Sequence, residues 1–249
     1  MIIVITGASA GIGAAVARRL AKKGHTLVLL ARRKEKLEEL RSELGKNEAV
    51  IYELDVASRT EVETTFARIE KEVGEIDVLV NNAGLALGLE KAQESKLDDW
   101  QKCIDVNING LLYCTHAALP GMVKRNRGHI INIGSVAGSY PYPGGNVYCG
   151  TKAFVHQFSL CLRSDLLGTH VRVSCIEPGL VGGTEFSTVR FHGDEAKAKS
   201  VYEKTQPLTA DDIAEVVHFC ATLPPHININ TVEVMPVAQA FSPLAINRT

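Results

Sequence analysis

The sequence predicts an α/β fold in which a doubly wound parallel sheet of about seven strands carries helices on both faces. Short runs of β-branched and apolar residues alternate with stretches of helical periodicity along the whole chain, which is typical of parallel sheets. Apolar residues make up 45% of the chain and charged residues 22%, as in ordinary globular proteins. The 249 residues contain neither a repeat nor a linker, so residues 1–249 are predicted to form a single domain.

Apolar runs of strand length alternate with helix-like stretches. The predicted strands lie at residues 2–6, 26–31, 49–54, 77–81, 129–133, 171–176 and 231–235. Between them, apolar residues recur at helical spacing. The predicted helices lie at residues 12–23, 34–44, 59–73, 97–125, 149–168 and 210–221. In the second helix, for example, Leu37, Leu40 and Leu44 form a buried stripe among charged residues, and Gly45 ends the helix.

Residues 179–208 interrupt this regular alternation. They contain glycines, charged residues and isolated aromatic residues, but no clear period. A long irregular connection within a compact α/β domain is often a lid or a binding loop. Because ligands of such sheets bind beyond the carboxyl ends of the strands, this segment is predicted to form a substrate lid.

Charge and composition argue against several classes of partner. The formal net charge is −1, which gives no global attraction to nucleic acid or to an anionic membrane. No apolar stretch approaches the roughly 20 residues that span a bilayer, and the first apolar run is too short for the core of an export signal. The six cysteines and the histidines have no metal-like spacing, and such cysteines fit thiols in a reducing compartment. The protein is therefore predicted to be cytoplasmic and to bind no metal, nucleic acid or membrane.

The first strand leads into a glycine-rich turn. Gly7 allows the tight turn, Gly11 lets the backbone approach a pyrophosphate, and Gly13 lets the next helix pack closely on the strand. N–H groups at the start of that helix then point at phosphate oxygens. The turn is a variant of the dinucleotide-binding motif of Rossmann-like folds, although such a turn also occurs without a ligand. The predicted contacts are Gly7, Ala8, Ser9, Ala10, Gly11, Ile12 and Gly13.

The end of the second strand indicates which dinucleotide binds. An NAD site usually has an acidic residue here, whereas an NADP site has an arginine that binds the 2′-phosphate. This chain has Arg32 and Arg33, with no acidic residue before Glu35. Guanidinium groups bind phosphate oxygens through paired N–H groups, so NADP is the predicted cofactor. In the alternative interpretation, the two arginines simply begin a solvated helix with Lys34 and Lys36.

A tyrosine and a lysine four residues apart are the strongest indication of chemistry. Tyr148 and Lys152 fall on one face of a predicted helix, where the ammonium group would lower the pKa of the phenol from about 10. Such a phenol exchanges a proton with a substrate oxygen near neutral pH. Ser135, at the end of a neighbouring strand, would hold the same oxygen. Singly, these residues also fit a buried aromatic, a solvated lysine and a capping serine.

Several motifs, in this order, resemble those of the short-chain dehydrogenase/reductase family. They are Thr6-Gly7-x-x-x-Gly11-x-Gly13, Asn81-Asn82-Ala83-Gly84, Ser135, Tyr148-x-x-x-Lys152 and Pro178-Gly179. Within that family, three segments resemble the branch of bacterial NADP-dependent 3-hydroxy acid dehydrogenases, also described as serine or L-allo-threonine dehydrogenases. These segments are residues 144–148, 177–186 and 235–237. The resemblance implies a Rossmann-like fold and an NADP-dependent oxidoreductase.

The resemblance also implies roles for single residues. Asn107 matches the asparagine that positions a proton-relay water, with Asn109 as a nearby competitor. Lys152 would hold the nicotinamide ribose, and Tyr148 would lie beside it. The remaining implied cofactor contacts are Asp55 and Val56 at the adenine, Asn82 at a ribose or within the sheet, and Pro178, Gly179, Val181 and Thr184 near the nicotinamide.

Two positions depart from the family's pattern. An additional glycine precedes Thr184, and Ala10 stands where many NADP-dependent members carry a basic residue. Asp55 also has a structural alternative, as the cap of the following helix. The family further implies a homotetramer in which the helices predicted at 97–125 and 149–168 pair between subunits.

The irregular segment contains Arg190, with Phe186 and Phe191 close to it in sequence. A small hydroxy acid needs a partner for its carboxylate, and an arginine binds a carboxylate through two N–H groups. The phenyl rings would exclude water from that pair. We therefore predict that Ser135, Tyr148 and Arg190 contact the substrate, although Arg190 also fits a solvated loop residue.

Together these features predict an NADP-dependent oxidoreductase that interconverts small 3-hydroxy acids and their 3-oxo acids or semialdehydes. The candidate substrates are serine, L-allo-threonine, 3-hydroxyisobutyrate and 3-hydroxypropionate. The alternatives are a carbonyl reductase for larger ketones and a non-catalytic NADP-binding regulator on the same fold. The chain has a complete set of catalytic candidates, which favours an enzyme: Asn107, Ser135, Tyr148 and Lys152.

Overall fold

The computed structural model describes residues 1–21, 23–45 and 49–241. The strands are β1 (Ile2–Thr6), β2 (Thr26–Ala31), β3 (Ala49–Glu53), β4 (Val78–Asn81), β5 (Gly128–Ile133), β6 (Val171–Pro178) and β7 (Thr231–Val234). They form a seven-stranded sheet in the order β3-β2-β1-β4-β5-β6-β7, and all neighbouring strands are parallel. The predicted fold class is confirmed.

Side-chain alternation in the central strands creates two separate cores. In β1, Ile3 and Ile5 belong to one buried apolar cluster, whereas Val4 belongs to the other. Successive side chains of a strand point to opposite faces, so a strand with no polar alternation must be covered on both sides. The sheet therefore requires a layer of helices on each face.

Helices supply both layers. They are α1 (Gly11–Ala21), α2 (Lys34–Leu44), α3 (Arg59–Glu72), α4 (Leu97–Ile104), α5 (Leu111–Lys124), α6 (Asn146–Asp165), α7 (Phe186–Arg190), α8 (Glu195–Ser200) and α9 (Ala210–Thr222). Helices α1, α2 and α9 pack on the face of Ile3, and α3, α5 and α6 pack on the face of Val4. None of the helices in the described ranges is long and apolar enough to cross a membrane.

Helix starts follow from local capping chemistry. Ser58 is the N-cap of α3, because its hydroxyl accepts a hydrogen bond from Glu61 N at 3.4 Å. Asp55 instead accepts from Ala57 N at 3.1 Å in the turn before the helix, so the interpretation of Asp55 as the helix cap is wrong. At α9, Thr209 and Asp212 form a reciprocal capping box, which satisfies two N–H groups at the helix start.

The helix predicted at residues 97–125 is interrupted. Between α4 and α5, residues Asp105–Gly110 adopt a π-helical turn, a feature often found at functional sites. Within the turn, Asn107 is bonded to the backbone of Leu85 in both directions, at 2.8 and 2.9 Å. A Cβ added at Gly110 would lie 2.7 Å from Val56 Cγ2. Tertiary contacts to two neighbouring loops thus replace regular helical geometry.

The segment 179–208 is more ordered than its sequence predicts. It contains the two short helices α7 and α8. Its base is closed because Gly182 N donates to Leu208 O at 2.8 Å and Leu208 N donates to Leu180 O at 2.9 Å. The expectation of an irregular connection is wrong in this respect, since helices of five and six residues are too short to give a readable period.

Candidate active site

A cleft of about 680 Å³ lies at the carboxyl ends of the strands. Its walls come from the segments that follow β1 through β6 and from residues 235–241 after β7. Open α/β sheets bind ligands at this edge, where the strand order reverses. Here the reversal lies between β1 and β4. The predicted cofactor contacts line this cleft, with the exceptions of Ala8 and Gly13.

The two exceptions lie beneath the glycine turn. Ala8 is fully buried, and its N–H donates to Leu30 O at 3.1 Å. A Cβ added at Gly13 would lie 2.5 Å from Gly7 O and 2.6 Å from Asn82 Nδ2. Gly13 therefore serves close packing rather than contact with a ligand, and Gly7 turns the chain with a φ of 65°.

The end of β4 holds this turn in place. Asn82 Nδ2 donates to Thr6 O at 2.9 Å and to Gly7 O at 3.2 Å. In return, Thr6 Oγ1 accepts from Asn82 N and Ala83 N, both at 3.0 Å. Asn82 thus steadies the sheet edge while it lines the cleft. A small-residue cradle braced in this way fits the pyrophosphate of a dinucleotide.

Arg33, at the end of β2, lines the cleft and forms an ion pair with Glu185, which also lines it. Its two Nη atoms lie 3.1 and 2.8 Å from the carboxylate oxygens of Glu185, and Nη2 also donates to Ser9 Oγ at 3.2 Å. Hydrogen bonding to Arg33 lowers the pKa of Glu185. The sequence analysis missed Glu185, because nothing local signals a partner 152 residues away. Arg32 also lines the cleft and is exposed.

Ser135 and Tyr148 meet on the other side of the cleft. Ser135 follows β5 and caps a short 3₁₀ turn, accepting from Ala137 N at 3.1 Å. Tyr148 lies in the first turn of α6 and is buried. The Phe186 ring packs against it, with the ring centroids 5.8 Å apart. The substrate-oxygen contacts predicted from sequence are therefore brought together.

The prediction that the Tyr148 pKa falls below its usual value is wrong, because the pKa is raised. Burial raises the pKa of the phenol above its usual value, although Ser135 and the charge of Arg190 act in the opposite direction. Lys152 Nζ lies 6.0 Å from the centre of the tyrosine ring and donates to Ile133 O at 2.8 Å. Burial also lowers the pKa of Lys152 to about 8. Residue spacing predicted the proximity of the pair but not the loss of water around it.

Asn107 lies behind the cleft rather than on its wall. Its amide oxygen accepts from Leu85 N at 2.9 Å, and its amide nitrogen donates to Leu85 O and to Thr151 Oγ1. A Cβ at Gly84 would lie 3.4 Å from Asn107 Oδ1 and 3.5 Å from Lys152 Nζ. The asparagine is thus adjacent to the lysine, with its side chain committed to structure. Its competitor Asn109 donates to Asp105 Oδ1 at 3.2 Å.

Arg190 is buried at the substrate side of the cleft, with 8% of its surface exposed. The alternative of a solvated loop arginine is therefore wrong. Nε donates to Gly88 O at 3.1 Å, and Nη2 donates to the Tyr142 hydroxyl at 2.8 Å. The guanidinium carbon lies 5.5 Å from the centre of the Tyr148 ring. Tyr142, which the sequence analysis missed, follows β5 and carried no recognisable motif.

The buried lysine predicts a measurable effect on stability. We expect Lys152→Met to raise the free energy of unfolding near pH ~7 by up to about 3 kcal/mol, because it removes a charge whose burial is unfavourable. The gain should shrink as the pH rises from about 8 towards 10.5, since the folded lysine then loses its proton while the unfolded lysine keeps it. Urea denaturation across this range is the measurement. A difference that does not vary with pH would contradict the explanation, and Lys102→Met, on an exposed helix position, is the control.

Comparison with known proteins agrees with this geometry. A family model described as short chain dehydrogenase matches residues 1–194. NADP-dependent 3-hydroxy acid dehydrogenase YdfG of Salmonella typhi is 58% identical over 249 residues, which cover 100% of both chains. The protein of the same name from Escherichia coli strain K12 is 56% identical over 248 residues, again 100% of both. The solved closed form of serine dehydrogenase complexed with NADP+ is 55% identical, with a TM-score of 0.97 over 100% of both chains. The chain belongs to the short-chain dehydrogenase family.

Proposed function

We propose that this protein is an NADP-dependent oxidoreductase that interconverts small 3-hydroxy acids and the corresponding 3-oxo acids or semialdehydes. The observation that carries the proposal is the meeting of Ser135, Tyr148 and the buried Arg190 in a cleft that also contains the glycine turn. The names of two relatives, a 3-hydroxy acid dehydrogenase and a serine dehydrogenase, support the same class of substrate.

The cofactor is NADP, as in those relatives. The braced glycine turn fits its pyrophosphate, and Arg32 and Arg33 supply the positive charge for its 2′-phosphate. Bound NADP supplies or accepts the hydride of the reaction. The other residues assigned to cofactor binding are Asp55, Val56, Asn82, Lys152, Pro178, Gly179, Val181 and Thr184, all of which line the cleft.

Proton transfer is assigned to Tyr148. In this proposal the Ser135 hydroxyl holds the substrate oxygen, which takes a proton from Tyr148 on reduction and returns it on oxidation. The raised pKa keeps the phenol protonated at neutral pH, so it is ready to act as an acid. With a pKa of about 8, Lys152 is mostly charged at neutral pH and offsets the negative charge that remains on the phenolate. Asn107, anchored to Leu85 and Thr151, supports the site from behind, and the relay-water role that the family implies for it stays a prediction.

Arg190 is assigned to the substrate carboxylate. A buried charge is unfavourable unless an opposite charge accompanies it. Among the described residues, no acidic side chain forms an ion pair with Arg190. An anionic substrate would supply the missing opposite charge. Phe186 and Phe191 line the same cleft, and their rings would exclude water from the ion pair. The segment 179–208, which carries these residues, is the proposed lid of a single domain.

A substrate panel tests the proposal. The oxidation of NADPH, followed by absorbance, is measured with malonic semialdehyde, and the reverse reaction is measured with serine, L-allo-threonine, 3-hydroxyisobutyrate and 3-hydroxypropionate. Turnover of at least one of these compounds is the expected result. Turnover of bulky uncharged ketones alone would favour the carbonyl reductase instead. Binding of NADPH with no turnover of any compound would favour the regulator.

Removal of the phenolic hydroxyl tests the acid–base role. We expect Tyr148→Phe to abolish turnover while NADPH still binds, because only the atom that carries the proton is lost. Steady-state kinetics and calorimetric titration with NADPH measure the two effects separately. A kcat close to that of the unmodified protein would remove Tyr148 from the mechanism.

Removal of either guanidinium at the end of β2 tests cofactor choice. A hydrogen bond to a charged phosphate contributes roughly 1.5–3 kcal/mol, so Arg32→Ala and Arg33→Ala should each weaken NADP binding by about tenfold or more and spare NAD. Titrations with both cofactors provide the comparison. Arg59→Ala, at an exposed ion pair on α3, is the control. Equal weakening for NADP and NAD would argue against contact with the phosphate.

Truncation of the buried arginine tests carboxylate binding. We expect Arg190→Ala to lower kcat/KM for 3-hydroxy acids by about tenfold or more, while activity with an uncharged carbonyl compound is largely retained. The measurement is the ratio of the two kcat/KM values. Parallel loss for both substrates would indicate a packing role for the arginine, and unchanged kinetics would refute the assignment.

Assembly and location are proposed from family membership. We expect a homotetramer in which the faces of residues 97–125 and of α6 pair between subunits, and a cytoplasmic location. Sedimentation or light scattering at working concentration measures the mass, and a monomer would contradict the assembly. Cell fractionation tests the location.

A further inference from the structure

The helix α7 and two loops fix the position of Arg190. The arginine belongs to α7, Gly88 belongs to the loop after β4, and Tyr142 belongs to the loop after β5. The backbone joins the first two, because Gly88 N donates to Arg190 O at 2.9 Å, while Arg190 Nε returns a bond to Gly88 O at 3.1 Å. The docking of α7 on this loop therefore does not depend on Tyr142.

Tyr142 controls a different property, the direction of the guanidinium. Its hydroxyl accepts from Arg190 Nη2 at 2.8 Å, and its ring lies 5.3 Å from the guanidinium carbon. Nε and Nη2 are thereby held at two points, so the planar group cannot rotate freely. Among the described residues, the remaining N–H donors on Nη1 and Nη2 have no protein acceptor. They are the donors left for a ligand.

The same arrangement fixes a distance within the substrate. The guanidinium carbon lies 5.5 Å from the centre of the Tyr148 ring. A substrate held by Arg190 at its carboxylate and by Tyr148 at its oxygen must therefore be a small molecule, with the two groups close together. Burial raises the pKa of Tyr142, so its hydroxyl stays neutral and does not compete with the substrate as an anion.

We propose that Tyr142 is a positioning residue that determines specificity: by holding Arg190, it sets the separation of carboxylate and hydroxyl that the site accepts. This inference rests on the proposed function, because it takes Arg190 as the carboxylate partner and Tyr148 as the oxygen partner. It adds that the preference for 3-hydroxy acids over longer hydroxy acids comes from Tyr142.

Tyr142→Phe removes the hydroxyl and keeps the ring. The experiment compares 3-hydroxypropionate, 4-hydroxybutyrate and the uncharged methyl ester of 3-hydroxypropionate as substrates. We expect KM for 3-hydroxypropionate to rise about tenfold with little change in kcat, and its preference over 4-hydroxybutyrate to shrink. Kinetics with the methyl ester should be unchanged. Tyr52→Phe, which likewise removes a tyrosine hydroxyl, bonded to Glu72 at 2.8 Å and outside the cleft lining, is the matched control and should behave as the unmodified protein.

A second readout uses a ligand that is not itself turned over. Malonate has a carboxylate for Arg190 but no hydroxyl to oxidise, and its inhibition constant should rise in parallel with the KM for the acid. An equal loss with the acid and the ester, or an unchanged preference between the two acids, would overturn the inference. The proposed function fails differently, since the unmodified protein would then turn over none of the hydroxy acids.

Discussion

The hydrogen-bonded link between Thr6 and Asn82 is the contact on which the site depends. It joins the ends of β1 and β4, the neighbouring strands at which the winding of the chain reverses. Thr6 Oγ1 accepts two backbone N–H groups, and the Asn82 amide reaches back to two carbonyl oxygens. The backbone N–H groups of Asn82 and Ala83 and the Asn82 side-chain amide thereby find acceptors. The glycine turn, which has no Cβ at Gly7, can then lie close to Asn82 and Ala83. The other loops of the site lie around this turn.

Two buried cations, Lys152 and Arg190, lie on the opposite side of that cleft, and neither forms an ion pair with an acid among the residues that the structure describes. Lys152 is bonded to a carbonyl oxygen, and Arg190 is bonded to a carbonyl oxygen and a hydroxyl. Such partners satisfy hydrogen bonds without neutralising charge, so the folded protein retains unfavourable electrostatic energy. Binding of an anion at Arg190 would remove part of this unfavourable electrostatic energy. A cost in stability at a site of this kind is a common feature of functional sites.

The sequence was sufficient to predict features that depend on a local pattern, and those that follow from the burial of every strand on both faces. Short apolar runs predicted the strands, and the spacing of Tyr148 and Lys152 predicted a shared helix face, because the helix has a fixed period. The sign of the Tyr148 pKa shift was wrong because spacing says nothing about how much water remains around a phenol. Glu185 and Tyr142 were missed for another reason. Each acts through a partner on a distant segment, and no short motif records such a pairing.

The short helix α7 joins the cofactor side of the cleft to its substrate side. Glu185, immediately before it, pairs with Arg33, whereas Phe186 packs on Tyr148 and Arg190 reaches Tyr142. Phe186 and Arg190 are four residues apart and so share one face of the helix, which is the face towards Tyr148. These contacts all lie within Glu185 and the five residues of α7. One short helix therefore contacts both Arg33, the proposed phosphate partner, and Tyr142, which holds the proposed carboxylate partner.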